Sequence, residues 1–351
     1  MNEDEIMREL LGDGVTLAPE VVTEEFQPVR AAPRDAPELA VTMQVPRTWE
    51  QARPAGSGPV GYDQPLSHGV WRDTVERSAP MAFELATSLV PREISAEHLA
   101  IHYAREAEMK IRAMDASSRS RVDAILEINV RRQPFVQRLT LVLDGDRARF
   151  VTATAHAADA RHYAPTWATV LTTLRAESPL KRGTVEEWRQ HTLGEVLSLD
   201  TPRSWRARTT PGSTETNFGL EFFQKDYGGR FTGFMSLDVD TAVQHRPEQD
   251  ELQRVGGQIG YREIELYQDI EHLNIDEGDG RLRRKGIFIY RGEDALGYPI
   301  EAFFARLELD GHPVRLWSLG VSREVSTLIW GQNQAGFRGV LDTLEPTARG
   351  L

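Results

Sequence analysis

Apolar and polar residues alternate along much of this chain, a period of two that is typical of β-strands with one buried face. Many of these segments are rich in β-branched and aromatic residues, which favour strands. We therefore predict strands at 38–49, 81–91, 124–130 and 135–143 in the first half, and at 218–223, 230–239, 262–270, 286–290 and 301–309 in the second half.

Fewer segments have the three- and four-residue spacing of an amphipathic helix. The longest is 95–114, which begins after Ser95 as a candidate N-cap. Residues 184–191 place Thr184 and Glu187 at the spacing of a capping box, which predicts a short connecting helix. Further helices are predicted at 167–174, 248–255 and 337–344.

Three pairs of matching segments indicate a tandem repeat. A strand ends at a Pro-Arg-(Thr/Ser)-Trp corner at 46–49 and again at 202–205. Two strands flank an Asp-Gly turn at 141–150 and again at 307–316, and a Val-Leu-x-x-Leu helix follows each strand pair. The matches occur in the same order, at offsets of 156, 166 and 170 residues, so chance is a poor explanation.

The repeat defines the domain organisation. We divide the chain into an acidic N-terminal helix and tether (1–37), a first module (38–176), a linker helix (177–194) and a second module (195–351). The predicted fold class is α+β, with two tandem modules that are each an antiparallel sheet flanked by helices. The second module is expected to be richer in strand, because only 248–255 favours a helix in its middle.

The order of elements resembles the PsbP-like superfamily, whose bacterial members include the DcrB-like and LpqN-like proteins and the Eag chaperones of type VI secretion. The likeness rests on the Pro-x-x-Trp corner, the long helix, the antiparallel strands with an Asp-Gly hairpin and the closing helix, and it covers 38–345 once per copy. It implies a module that binds other proteins and is not an enzyme. The Eag chaperones work as pairs of such modules that shield apolar helices of secreted effectors. The resemblance to them implies the same role for the two copies in this chain. No family site motif matches individual positions, so the resemblance assigns no binding residues.

Composition narrows the classes of function. The net charge of −12 argues against general nucleic-acid binding, which needs clustered basic residues to neutralise phosphates. Residues 1–27 alone contribute −7 of this charge. The chain has no cysteine, which excludes disulfides, thiolate nucleophiles and cysteine-ligated metals. It also lacks a membrane-spanning apolar run and a signal-peptide pattern, so we predict a cytoplasmic protein without membrane insertion.

Few residues form a catalytic or metal-binding pattern. His98 and His102 stand one helical turn apart, but a third ligand is missing and a half-exposed helix face explains them better. Residues 274–281 have glycines where calcium ligands would be needed, and the glycines at 254–260 do not join a strand to a helix as a dinucleotide site requires. There is no P-loop and no Gly-x-Ser-x-Gly elbow, so we predict no catalytic residue, metal or cofactor.

Aromatic residues recur at matching places in the two copies. Trp49 matches Trp205 at the corner, and Trp167 matches Phe337 on the closing helix. Both copies need the same filling between sheet and helix, so we interpret these residues as core rather than as ligand-stacking groups.

The strongest candidates for partner binding are Ile6, Met7, Leu10 and Leu11, the apolar stripe of the acidic N-terminal helix. Such a stripe could dock into a groove on another protein. The alternatives are a frayed terminus or docking onto the nearer module. A second candidate is the loop 53–69, which has four Gly and three Pro and is long enough to be functional or disordered.

These observations lead to the hypothesis of a non-enzymatic protein-binding adaptor or chaperone whose partner is another protein. Its sharpest form is an accessory factor of a bacterial secretion or injection system. Two alternatives stay open: a small-ligand-binding protein or enzyme that uses a cleft between the modules, and a structural component of a larger assembly.

Overall fold

A computed structural model of the chain describes residues 10, 16–58, 60, 65–75, 81–90, 92–177, 186–225, 231–242, 261–271, 280–294 and 297–348. The chain forms two compact units, Met1–Val185 and Glu186–Leu351.

The first unit contains three α-helices and ten strands in its described residues. In chain order they are α1 (Pro19–Glu25), β1 (Phe26–Ala31), β2 (Val41–Pro46), β3 (Trp49–Arg53), β4 (Leu66–Asp73), β5 (Ala82–Leu89), α2 (Ala96–Glu106), β6 (Lys110–Ser118), β7 (Arg121–Val130), β8 (Gln133–Asp144), β9 (Arg147–His156), α3 (Ala160–Thr173) and β10 (Arg175–Ala176). A short 3₁₀ helix, Pro37–Leu39, precedes β2.

The second unit contains one α-helix and ten strands in its described residues. They are β11 (Trp188–Leu193), β12 (Leu197–Pro202), β13 (Arg206–Thr209), β14 (Asn217–Lys225), β15 (Phe231–Asp240), β16 (Tyr261–Glu271), β17 (Leu282–Asp294), β18 (Pro299–Leu309), β19 (His312–Val321), α4 (Thr327–Thr343) and β20 (Glu345–Pro346). No helix in the described ranges is long and apolar enough to cross a membrane.

The two units have the same sheet topology. The first has a three-stranded sheet in the order β1-β2-β10 and a seven-stranded sheet in the order β3-β4-β5-β9-β8-β7-β6. The second has β11-β12-β20 and β13-β14-β15-β19-β18-β17-β16, so each strand corresponds to the strand numbered ten higher. All of these neighbours pair antiparallel. The repeated sequence words therefore mark a repeated arrangement of strands.

The predicted α+β class, with sheets flanked by helices, is wrong, because the structure is mostly β. Strands make up 53% of it and helices 20%, with four sheets and four α-helices in the described part. One part of the error lies in 95–114, where the helix ends at Glu106. Glu108 takes a positive φ of 53°, which no helix interior tolerates, and the chain continues as the extended strand β6.

The linker is a second correction. Residues 178–185 lie outside the described residues, and 188–191, the second half of the predicted helix 184–191, belong to strand β11 (Trp188–Leu193). Backbone pairing with β12 along the whole of β11 overrides the local capping pattern. The predicted helix 248–255 also lies outside the described residues.

The predicted tether is also corrected, because residues before 38 include α1 and β1, and β1 pairs with β2 along its whole length. The predicted strands agree with the structure. All nine predicted strand segments fall on observed strands. The Ser95 hydroxyl accepts a hydrogen bond from the His98 backbone N–H, which confirms Ser95 as the N-cap of α2.

The recurring aromatic residues are buried, as predicted for core positions. Trp49 and Trp167 belong to the core of the first unit, and Trp205 and Phe337 to that of the second. None of the four is more than 4% exposed. Each closing helix, α3 or α4, contacts strands of both sheets of its own unit.

The two Asp-Gly hairpins turn in different registers. In the second unit Asp310 and Gly311 are the turn residues, and both have positive φ. In the first unit Asp144 pairs with Arg147, so the turn is made by Gly145 and Asp146, one residue later in the matching words. Structurally equivalent residues of these strands are therefore 165 apart, whereas the sequence words match at 166. A shift of one residue exchanges the two faces of a strand.

Candidate functional site

The first unit contains a cavity of about 760 Å³ between its seven-stranded sheet and the C-terminal half of α3. Its buried floor includes Asp123, Arg138 and Thr140, whereas rim residues such as Asp115 and Arg175 are exposed, so the cavity opens to solvent. We call it the arginine cavity, because its lining includes four arginines. The lining residues are Thr16, Asp115, Arg121, Asp123, Arg138, Thr140, Val142, Arg149, Val151, Ala168, Leu171, Thr172, Leu174 and Arg175.

Strand register brings the polar side chains together. Arg149 of β9 pairs with Val142 of β8, which pairs with Arg121 of β7. One step of two residues along the strands, Thr140 of β8 pairs with Asp123 of β7. Residues two apart on a strand share a face, so these rows lie side by side on the face that α3 covers.

Asp123 is the centre of a polar network on the cavity floor. The Thr140 hydroxyl donates to Asp123 Oδ1 at 2.5 Å, and Arg121 Nε donates to Oδ2 at 3.0 Å. Arg138 Nη2 lies 3.8 Å from Asp123 Oδ1 and forms an ion pair with it. One carboxylate therefore serves two guanidinium groups, of which that of Arg138 is almost fully buried.

Burial disfavours the charges of two of the arginines. It lowers the pKa of Arg138, an effect that the Asp123 carboxylate opposes and the charge of Arg121 reinforces. It also lowers the pKa of Arg149, opposed by Asp144. A guanidinium keeps its proton in proteins even so, which leaves both side chains as partly desolvated cations.

His68 lies beside the row that contains Arg149. It is the extra residue of a β-bulge in β4 and is fully buried. Its Nε2 lies 2.9 Å from the hydroxyl of Thr87, and Thr87 of β5 pairs with Arg149 of β9. Burial lowers the pKa of His68 to about 4. A hydrogen bond with the Ala31 backbone opposes this decrease in pKa, and the positive charge of Arg149 adds to the decrease. His68 is therefore neutral at pH 7 and adds no charge to the cavity.

The equivalent layer of the second unit is apolar. Counting strand pairs from the two hairpin turns, the second unit has Val314, Ala305 and Phe303 at the places of Arg149, Thr140 and Arg138. Ile287, which pairs with Ala305, stands at the place of Asp123. All four apolar residues are buried in the core under α4. The same fold thus has an arginine cavity in one copy and a hydrophobic core in the other.

The predicted partner-binding residues are only partly described. Leu10 is 2% exposed and packs in the core of the first unit. Ile6, Met7 and Leu11 lie outside the described residues, so the partner-binding stripe stays a prediction.

The other sequence candidates do not join the cavity. His98 is buried at the start of α2, and its Nδ1 lies 2.9 Å from the Ser95 hydroxyl. All of 254–260, most of 274–281 and several residues of the loop 53–69 lie outside the described residues. Within the described part, no group of three or more His, Asp or Glu side chains is arranged to hold a metal.

Sequence reasoning missed Arg121, Asp123, Arg138 and Arg149. The residues that alternate with them, such as Leu139 and Leu141, are apolar and buried, so the polar set has the pattern of a solvent-exposed face. A signal was nevertheless present, because three adjacent strands each carry a charged residue within a largely apolar segment. Only the position of α3 turns that face into a cavity wall.

Comparison with known proteins yields weak likenesses. No protein-family model matches the chain, and no curated protein matches it. A crystal structure of a protein from Bacteroides thetaiotaomicron shares 11% identity at a TM-score of 0.27, and the match covers 46% of this chain and 50% of that one. This chain thus spans about half the length of that protein.

Two further structures are matched over more of the chain. The apo structure of TplEi, an immunity protein of the type VI secretion system from Pseudomonas aeruginosa, shares 10% identity at a TM-score of 0.22, covering 79% of this chain and 94% of that one. A protein of the dynemicin biosynthetic locus shares 10% identity at a TM-score of 0.14, covering 81% and 83%. Superpositions of this quality identify no function, and the resemblance to the PsbP-like superfamily stays a prediction.

Proposed function

We propose that the chain is a non-catalytic binding protein whose first unit holds a small ligand in the arginine cavity. The observation that carries the proposal is the contrast between the copies: Asp123, Arg138, Thr140 and Arg149 occupy places that are apolar in the second unit.

The contrast matters because a polar layer under a helix is costly. Burying a charged group requires an ion pair and further hydrogen bonds to offset its lost hydration, and well-packed apolar residues are often as stable or more stable. The second unit is an example of the apolar arrangement on the same topology. A polar layer that the fold does not require is the kind of feature that binding sites keep at the expense of stability.

The chemistry of the cavity favours binding over catalysis. A guanidinium is not deprotonated near neutral pH, so the arginines serve as hydrogen-bond donors and charges and not as general acids or bases. Asp123 already accepts from Thr140 and Arg121 and pairs with Arg138. The Thr140 hydroxyl donates to an Asp123 carboxylate that already pairs with two arginines, so this contact is assigned to the polar network and we assign no catalytic residue.

Native mass spectrometry of the intact chain tests this proposal. A chain purified gently from its native source should retain a small-molecule adduct that collision releases. The adduct should be lost from a four-residue variant that receives the second unit's residues, Asp123→Ile, Arg138→Phe, Thr140→Ala and Arg149→Val. A variant at an exposed position of α3, Arg161→Met, is the matched control and should retain the adduct. An adduct that survives in the four-residue variant, or no adduct and no binder in a metabolite screen, would overturn the proposal.

The protein-binding adaptor is our second candidate, and the charge of −7 over residues 1–27 favours it. The narrower role as a secretion accessory factor rests on the sequence resemblance alone. Deletion of residues 1–9 tests the adaptor better than a longer deletion, because Leu10 and Phe26 are core residues of the first unit. A protein that binds the full chain but not the shortened one in affinity purification would support the adaptor. Equal recovery by both chains would count against a role for this segment.

A further inference from the structure

We infer that the ligand of the arginine cavity is a small organic anion: an acidic group, carboxylate or phosphate, attached to an apolar body. This inference rests on the proposed binding function and specifies the chemistry of the ligand.

The charge of the lining is the first argument. Four arginines and two aspartates line the cavity, which leaves an excess of two positive charges in a chain whose net charge is −12. Positive charge concentrated in a concave, partly desolvated site raises the local concentration of anions. A cationic ligand would meet repulsion from this lining.

The hydrogen-bond state of Arg149 is the second argument. Arg121 and Arg138 share the carboxylate of Asp123, whereas Arg149 lies on β9, two strands away from Asp123 on β7. Its Nε is buried and has no hydrogen-bond acceptor among the described residues. A buried donor without an acceptor is costly, and an oxyanion would satisfy it through a charge-assisted bond. We therefore expect the acidic group to bind Arg149.

The volume of the cavity and its apolar lining residues indicate the size and the apolar character of the rest of the ligand. A volume of about 760 Å³ lies in the range that holds a drug-sized molecule and is too large for an inorganic anion alone. Ala168, Leu171 and Leu174 line the side formed by α3 and the residue after it, and Val142 and Val151 line the sheet side. An apolar body would lie against these side chains while the acidic group reaches the arginines.

Four compounds of matched chain length separate the possibilities: octanoate, octyl phosphate, octanol and octylamine. Inorganic phosphate is the fifth probe. Binding to the intact chain is measured by titration calorimetry, with thermal melting as a parallel readout, since a ligand selective for the native state raises the melting midpoint.

We expect octanoate or octyl phosphate to bind, and octanol and octylamine to bind at least about tenfold more weakly, the effect of one charge-assisted hydrogen bond. Inorganic phosphate should also bind at least about tenfold more weakly, because it buries no apolar chain. Arg149→Met should weaken binding of the anionic probe by about tenfold or more. Arg161→Met, at an exposed position of the same unit, should not change it. If Arg149→Met does not fold, Arg149→Lys provides the comparison, because it keeps a cation but removes the Nε donor and should also weaken binding of the anionic probe.

The outcomes distinguish this inference from the proposed function. Tight binding of octanol or octylamine that is lost in the four-residue variant would overturn the anionic ligand but leave a ligand cavity in place. Binding of inorganic phosphate alone would overturn the apolar body. Anion binding that is equal in the intact chain and in Arg149→Met would overturn the role of Arg149. If no probe binds and native mass spectrometry finds no adduct, both the inference and the proposed function are wrong.

Discussion

Replacing His68 should change how the stability of the first unit depends on pH. The side chain is fully buried in the β4 bulge and its pKa is lowered to about 4, against 6.5 for an ordinary histidine. The unfolded chain therefore binds a proton between pH 6.5 and 4 that the folded chain excludes. Stability linked to neutral His68 is fully present above pH 6.5 and is lost progressively as the pH falls to 4.

The shift sets the expected magnitude. A difference of about 2.5 pKa units at about 1.36 kcal/mol per unit corresponds to roughly 3 kcal/mol. His68→Gln removes the titrating group, so its effect must be read as a difference between the two chains at each pH. The free energy of unfolding of the wild type minus that of His68→Gln should fall by about 3 kcal/mol from pH 7 to pH 4.

Urea unfolding at several pH values measures this difference. Two units need not unfold together, so the transition that the substitution shifts is assigned to the first unit and fitted separately. Thr87→Val is the matched control, because it removes the hydrogen-bond partner of His68 but leaves the imidazole buried. It should lower stability while keeping the slope between pH 6.5 and 4. A wild-type minus His68→Gln difference that stays constant from pH 7 to 4 would refute the reasoning.

Three further substitutions test the packing. Asp123→Asn should destabilise the first unit by about 3–5 kcal/mol, because the Arg138 guanidinium stays buried without its carboxylate partner. The double variant Asp123→Ile with Arg138→Phe should destabilise it less, and urea unfolding that ranks the two variants in reverse would contradict this. Gly320→Ala places a methyl group about 2.1 Å from the Asn333 side chain, so it should destabilise the second unit by about 1–3 kcal/mol. In thermal melting, the double variant with Asn333→Ala should lose less stability than the two single variants combined, and simple additivity would argue against the clash. Phe337→Ala should destabilise the second unit by about 3–5 kcal/mol without changing anion binding by the first in calorimetry, and weakened binding would count against separate roles.

The strands and the repeat could be predicted because their signals are local. Alternation with a period of two identified the segment 301–309, which forms most of β18. The Pro-x-x-Trp corners were recognisable because a proline ends a strand and a large aromatic residue at a matching place fills a matching core. These features depend on a few neighbouring residues.

The ends of helices were harder to predict. Between Ala104 and Lys110 the chain has no glycine or proline to mark a boundary, and its residues are good helix formers. The helix nevertheless ends there, with the Met109 N–H bonded to the Ala104 carbonyl and β6 paired with β7 over most of its length. That pairing is a contact between distant residues, which periodicity within one segment does not reveal.

The arginine cavity could not be predicted from single strands. Arg138 and Thr140 alternate with buried apolar residues, and a strand with one solvent-exposed face has the same pattern. Whether such a face meets water or a helix depends on where α3 lies. A comparison of the copies would also have failed without the structure, because the matching words align Arg149 with Arg315 rather than with Val314.

The different turn registers of the two hairpins have a consequence for how a duplicated gene can diversify. Arg149 and Arg315 occupy the same place in the repeated words, yet Arg149 lines the cavity and Arg315 lies between the core residues Val314 and Leu316, on the opposite face. A strand carries two alternative surfaces, and the position of a two-residue turn decides which of them the helix covers. One copy can therefore acquire a charged interior by sliding its hairpin, with little change in the residues themselves. A search for related sites should compare strand faces rather than aligned letters.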